Sequence, residues 1–530
     1  MNQRSRMMRK ISRGVTENRR DRNEQGFSSS FDLSPATELT PSRTASGHEI
    51  EGTFANQTNK PSERSAESSE EVSNWSEPFN HLSEELINEI FLHCASSPIE
   101  ICGDPSCAPW SVAQVSQRWR TVALSEPNLW TYITVDLDRL PAIQLNRRTD
   151  ALLNFFRECL HRSRDRPLYL RVKAFQRLHR LLFPLTDLCL AEAHRWQTTS
   201  LHFCLSPFIG KLEQSRGQLS LLKDLSITYQ DRPAFPINAF VASPQLTRLT
   251  LCKLYHPTST LNIPWKQITH FESNALRYKL GELDKILTNM PLLEELKMVC
   301  GTLFPMMDDD STIETISLPH LRSFHFSGPQ EALDQILYPL HTPSLKHFAM
   351  EITDHSSPDL VVSTFLVLLR KSTFTLDSLS IDRLPVQGIV QILDLVPSLF
   401  IRGIGVTELF PTYLTLNRDT PRRPYYQEWG SPGSFFLVPN LRNLVMEDTY
   451  TFTDSTTLTS FEGALLKMVK SRLHPQGDSE GRLESVRVAI LAVGSPCEFE
   501  TSAFYELTEF GEAQGVKMDV DVRRKGWHPG

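Results

Sequence analysis

One phrase recurs through the chain: an apolar residue, two variable positions, an apolar residue, one variable position and a third apolar residue. It stands as "LKDLSI" from Leu222, "LTRLTL" from Leu246, "LEELKM" from Leu293 and "LRSFHF" from Leu321. It returns as "LKHFAM" from Leu345, "LDSLSI" from Leu376, "LRNLVM" from Leu441 and "LESVRV" from Leu483. "ITHFES" from Ile268 is a degraded copy, and "LFIRGI" from Leu399 is off by a step. Proline often sits two residues ahead, as at Pro244, Pro291, Pro319, Pro343, Pro397 and Pro439. The copies follow one another at about 22 to 31 residues up to Leu399 and at about 42 beyond it. A self-similar period in this range is the signature of a solenoid.

Helical segments lie between the copies. "LGELDKILTNM" places Leu283, Ile286, Leu287 and Met290 on one face, and "EALDQILYPL" and "VQGIVQILDLV" follow the same pattern. Each repeat therefore reads as a short strand, a turn and a helix, none able to bury its apolar side alone. Stacking lays the strands into one parallel sheet with helices behind it. At about 2 kcal/mol per buried Leu or Phe, three inward residues give each repeat a useful share of the core. Alternate strand residues face away from that core. They include Asp224, Arg248, His270, Glu272, Glu295, Lys297, His325, His347, Glu351 and Asp382, with acidic residues outnumbering basic ones five to two. A nucleic-acid groove needs the reverse balance.

The chain has 530 residues, too many for one compact core, with a net charge of −7. Nine cysteines are dispersed without regular spacing, which fits reduced thiols inside a cell, in cytoplasm or nucleus. The longest apolar run, "LVVSTFLVLL" from Leu360, is about half a membrane span, so no membrane is expected. Residues 1–76 are polar and poor in large apolar side chains, and read as a disordered tail. The Arg-rich start, "MNQRSRMMRKISRGVTENRRDR", reads as solvated; Glu17 and Asp21 interrupt any targeting pattern.

Residues 77–136 read as a small all-α module. Leu82, Leu86, Ile90 and Cys94 recur every four residues, and Ile87 and Phe91 widen the stripe. Ser83 suits the N-cap, with Glu84 and Glu85 in the first turn. Val112, Val115, Trp119 and Val122 make a second helical stripe that ends at Glu126-Pro127, and "YITVDL" from Tyr132 reads as a strand. Trp110, Trp119 and Trp130 crowd this short stretch. Cys102 and Cys107, near His93 and Cys94, match no standard zinc-finger spacing, so no metal is expected. No P-loop, dinucleotide glycine fingerprint, HExxH, GxSxG or CxxC occurs; no cofactor and no catalytic residue is expected.

The recurring phrase over roughly residues 165–525 resembles the leucine-rich repeat, LxxLxL, without the Asn that usually follows the strand. Residues 82–130 resemble an F-box: Leu82-Ser83-Glu84-Glu85-Leu86-Ile87, Ile90-Phe91, Val115-Ser116-Gln117-Arg118-Trp119 and Leu129-Trp130. Ser83 stands in place of the usual Pro, and Ser116 in place of the usual Cys. The wording is similar to that of F-box proteins abundant in mushroom-forming fungi, which carry irregular leucine-rich repeats behind the F-box.

The resemblance implies an α/β chain: tail over 1–76, F-box over 77–136, and irregular solenoid with a helix–strand end over 137–530. It implies a non-catalytic substrate receptor of a Skp–cullin–F-box ubiquitin ligase, partnered by the Skp adaptor, through it a cullin–RING ligase, and an unidentified protein substrate. Leu82, Ser83, Leu86, Ile87, Ile90, Phe91 and Val115 would serve the adaptor. Trp119 fits an internal core position, whereas Leu129 and Trp130 sit where the family meets its partner. The substrate would meet the sheet face at Arg248, His270, Glu272, Glu295 and Lys297, or the loop from Thr420 to Gly433 with Tyr425, Tyr426 and Trp429. The alternative is a repeat scaffold outside ubiquitin chemistry, whose F-box-like helices only cap the solenoid. A third is an enzyme of unrecognised type.

Overall fold

In the computed structural model the chain divides between Ser76 and Glu77 into two units, and all the elements named for the fold belong to the second. The structure describes most of residues 82–525. Outside the described residues lie 103–108, 175–180, 204–209, 230–235, 305–314, 354–364, 383–397, 403–440, 474–482 and 494–502, with several shorter stretches. The expected tail, the "VQGIVQILDLV" helix and the Tyr425, Tyr426 and Trp429 loop fall there.

In chain order, α1 spans Glu84–Cys94, β1 Ile99–Glu100, α2 Trp110–Ala113, α3 Gln117–Ser125 and β2 Tyr132–Asp136. Next come α4 (Ala142–Arg162), β3 (Leu168–Ala174), α5 (Leu182–Ala191), β4 (Trp196–Phe203), β5 (Asp224–Tyr229), β6 (Arg248–Cys252) and β7 (His270–Lys279). Then follow α6 (Leu280–Thr288), β8 (Glu295–Phe304), β9 (Ile316–Ser317), β10 (Ser323–Gly328), α7 (Gln330–Leu337), β11 (Leu340–His341) and β12 (His347–Ile352). The chain continues as β13 (Ser378–Asp382), β14 (Ser398–Arg402), β15 (Asn443–Thr451), α8 (Ser455–Leu473), β16 (Ser485–Val493), α9 (Ala503–Ala513) and β17 (Lys517–Lys525).

The fold is α/β. Among the described residues fifteen strands form one sheet in which each lies beside its neighbour in the chain; β9 and β11 stand apart as a second, two-stranded sheet. The pairings are parallel throughout, as crossovers between successive strands require.

The recurring phrase sets the register. Its middle apolar residue forms one row across the strands: Leu225, Leu249, Phe271, Leu296, Phe324, Phe348, Leu379, Leu399, Leu444 and Val486. In this row Leu225, Leu249, Phe271, Leu296, Phe324, Phe348, Leu379, Leu444 and Val486 are buried, and two positions on so are Leu251, Met298, Phe326 and Ile381. A one-residue slip of any strand would turn both of its inward side chains outward, so the pattern fixes the pairing. Leu399 pairs with Leu379 and Ile401 with Ile381, so that copy reads "VPSLFI" from Val396, not "LFIRGI" from Leu399.

The prolines ahead of the phrase also acquire a reason. The N–H groups of Leu246, Leu293, Leu321 and Leu345 donate to the carbonyls of Ser243, Met290, Leu318 and Thr342. Each closes a four-residue turn with Pro244, Pro291, Pro319 or Pro343 at its second position, where a fixed φ is favourable. One carbonyl then accepts twice: Lys223 from Thr247 and Arg248, Thr247 from Thr269 and His270, Arg322 from Lys346 and His347. These bonds satisfy the start of each strand with backbone groups alone.

The sheet begins earlier than the sequence suggests. Ile99 pairs with Ile133, Ile133 with Leu170, and Leu170 with Thr199 in the same row. "WTYITV" from Trp130 is therefore a copy of the phrase with Trp in its first position, and Trp196 holds the same place at the start of β4. One hydrophobic core runs from Ile87 to Val516, and residues 77–530 form one unit. The division expected between 136 and 137 is not a structural boundary, because β1 and β2 already belong to the sheet.

Candidate functional site

Two surfaces arise from these elements. The first is built on α1. Ser83 is extended and its hydroxyl accepts from the Leu86 N–H at 3.5 Å, so the residue in place of the usual Pro is a helix cap. Ser116, in place of the usual Cys, caps α3 by accepting from the Trp119 N–H at 3.1 Å. Its extended backbone (φ −154°, ψ 166°) breaks the single helix expected from Val112 to Val122 into α2 and α3, leaving Val115 at the break, 62% exposed.

One side of α1 faces inward. Ile87 and Phe91 are buried, and Phe91 meets the edge of Trp119 with ring centroids 5.1 Å apart. Trp119 is half-buried, and the Arg118 guanidinium donates to the Leu82 carbonyl, tying α3 to the start of α1. The strip next to it faces out: Leu86 is 54% exposed and Ile90 36%, four residues apart on one stripe. Leu82 is half-buried on the same spacing.

Leu129 and Trp130 are not on this surface. Trp130 is fully buried, its Nε1–H donates to the Ala123 carbonyl at 3.0 Å, and its ring meets the edge of Trp110 at 5.0 Å. The Arg162 guanidinium covers it at 4.8 Å. This corrects the expectation that Leu129 and Trp130 are offered to a partner. Both close a short 3-10 turn leading into β2, and Trp130 fills the first position of the repeat. Ile87 and Phe91 likewise serve the core.

The second surface is the outward face of the sheet. Register places Arg248, His270 and Glu295 in one row, and Thr250, Glu272, Lys297 and His325 in the next. The charges expected to meet a substrate are thus brought together, but they also meet each other. Lys297 Nζ lies 3.2 Å from Glu272 Oε1, and His270 Nε2 lies 3.6 Å from Glu295 Oε2. Such half-exposed pairs contribute little. Lys297→Ala should change unfolding free energy by less than about 1 kcal/mol, measurable by urea denaturation.

A polar cluster at the other end of this face has almost no mark in the sequence. His202 bridges two hydroxyls, Ser200 Oγ at 2.6 Å from Nε2 and Thr228 Oγ1 at 2.6 Å from Nδ1. Burial, then the charges of Arg171 and Lys173, lower its pKa to about 4. Lys173 in turn lies 3.3 Å from Asp136, which also meets Arg139. The only signal in the sequence is "SLHF" at a strand position, which alone says nothing.

The consequence for pH has a definite sign. An unfolded His titrates near pH 6.5, while His202 in the fold stays neutral to about pH 4. Between these values the unfolded chain binds the proton, so stability falls as pH drops through that window and levels off below it. His202→Gln should remove this contribution. The melting temperature of the variant should gain on the wild type between pH 7 and pH 4.5; a constant difference would contradict the assignment.

Among the described residues no group of three or more His, Cys, Asp or Glu could hold a metal ion. Cys102 is buried and its thiol is pushed up to about 12, chiefly by burial and then by Asp136, the opposite of what a metal-bound thiolate needs. Cys107 lies outside the described residues. No helix of the described residues is long and apolar enough to cross a membrane.

No family model matches the sequence, and no curated protein matches it. Among solved structures, one similar chain is a Bacteroides fragilis protein determined by the Northeast Structural Genomics Consortium. It is 12% identical, with 64% of this chain and 78% of that chain covered at a TM-score of 0.31. A likeness at that level carries no argument about function.

Proposed function

We propose that this chain is the substrate-recognition subunit of a Skp–cullin–F-box ubiquitin ligase, with the helices of residues 84–125 docking the Skp adaptor and a leucine-rich-repeat solenoid presenting a protein substrate. The observation that carries the reading is the apolar stripe of Leu86 and Ile90, left exposed after α1 has closed its core side with Ile87 and Phe91; Val115 is exposed at the break before α3. A helix that served only as a cap needs one apolar face. This one carries its apolar stripe past the core side to Leu86 and Ile90, and exposed clusters of this kind mark interaction sites. The chain would act by holding substrate and ligase together, raising their effective concentration, with no chemistry of its own.

The scaffold reading draws on a different observation. Trp130 and the strands at Ile99 and Ile133 make the N-terminal helices continuous with the sheet, as a cap would be. The two roles are compatible on adjoining strips of α1, and only the ligase reading gives the exposed strip a use. Affinity purification of the full chain from cells, read by mass spectrometry, tests it: adaptor and cullin should co-purify in near-stoichiometric amounts. Their absence would leave the scaffold reading.

A further inference from the structure

We infer that the substrate-docking centre is the N-terminal third of the sheet face, around Tyr132, Tyr169 and Arg171, and that it takes an acidic protein segment bearing carboxylates beside an aromatic or apolar side chain. The inference rests on the substrate-receptor reading and moves the docking point away from the central strands, where Lys297 and Glu272 already neutralise each other.

Tyr132 and Tyr169 are register partners on β2 and β3, with ring centroids 6.2 Å apart. They are 43% and 41% exposed, beside the outward Thr134, Asp136, Arg171 and Lys173 of the same two strands. Two residues along the same strand, Arg171 points the same way and is exposed; it makes no ion pair among the described residues. Tyr and Arg are among the residues most often responsible for binding energy at interfaces, and strands hold them in fixed geometry.

Charge selects the partner. The outward residues of β1 to β6 carry Arg171, Lys173 and Arg248 against Glu100, Asp136 and Asp224, with Arg139 meeting Glu100 and Asp136, whereas β7 to β12 carry Lys297 against Glu272, Glu295 and Glu351. The face is therefore balanced at one end, where Arg171 makes no ion pair among the described residues, and negative over the rest. An acidic segment is drawn to Arg171 at the first and repelled by the second, which fixes its placement. With Lys173 engaged by Asp136, one open guanidinium remains beside the tyrosines; it matches one carboxylate better than a doubly charged phosphoryl group.

Peptide display against the immobilised full chain tests this directly. Selected peptides should be enriched in Asp and Glu next to Phe, Tyr, Trp or Leu. The strongest, made as a fluorescein-labelled synthetic peptide, should bind Arg171→Glu and Tyr169→Ser at least tenfold more weakly, and Lys297→Ala like the wild type. Selection of basic or uncharged peptides, no enrichment, undiminished binding to Arg171→Glu, or a demand for phosphoserine in place of Glu would each overturn the inference. Melting temperatures of the exposed-residue variants should match the wild type; should Arg171→Glu misfold, Arg171→Gln serves as the neutral variant. Adaptor capture, measured on the same proteins, reports separately on the ligase reading.

Discussion

Leu86→Asp combined with Ile90→Asp should abolish capture of the Skp adaptor and leave the fold untouched. Leu86 is mostly and Ile90 partly exposed, and neither belongs to the buried core, so the substitutions remove little core packing, and surface changes of this kind usually stay within about 0.5 kcal/mol. At an interface the same carboxylates would be buried without partners. Apolar anchors at the centre of a patch cost about 2 kcal/mol or more each when lost. The pair should therefore weaken adaptor binding by at least about a hundredfold, since about 1.4 kcal/mol is tenfold. Titration of purified adaptor into wild-type and variant chains measures this. A variant that binds like the wild type, or one that unfolds, would contradict the placement of α1.

Trp130→Ala should behave in the opposite way. The indole is fully buried, packed against Trp110, covered by Arg162, and bonded to the Ala123 carbonyl. Truncation leaves a large cavity and an unsatisfied carbonyl, at about 3 to 5 kcal/mol. That is a large part of the stability of most domains. Urea denaturation should show the loss, with adaptor binding failing only as the N-terminal end of the sheet opens. Trp130→Phe should recover much of the packing. Were Trp130 an interface residue, Trp130→Ala would weaken binding with no shift in the denaturation midpoint.

The two Trp130 outcomes mark the limit of what the sequence discloses. The phrase from Leu222 to Leu483 names the buried residues of the sheet one by one, because a strand with one apolar face has a period that survives in the sequence. It is masked at Trp130 and Trp196, where an indole stands in for Leu, and at Trp130 a motif match offers another explanation for the same residue. At Leu399 a three-residue offset produces a plausible but wrong copy, and only pairing with Leu379 corrects it. Helix α1 is legible from its spacing and cap, but which of its apolar residues face out depends on α3 and on the turn before Tyr132. The charges on the sheet face are legible as a set of residues. That Lys297 and Glu272 pair, that His202 is held neutral between hydroxyls, and that Tyr132 meets Tyr169 depend on register between strands dozens of residues apart.

The most direct test of the proposed function is hydrogen exchange of the full chain with and without purified Skp adaptor in excess. Binding should slow exchange of amides in residues 84–94 and 115–125, which carry the exposed Leu86, Ile90 and Val115, and leave the sheet from Asp224 onward unchanged. No protection at 84–94, or protection confined to the sheet face, would contradict the claim that this helix is where the chain meets the ligase.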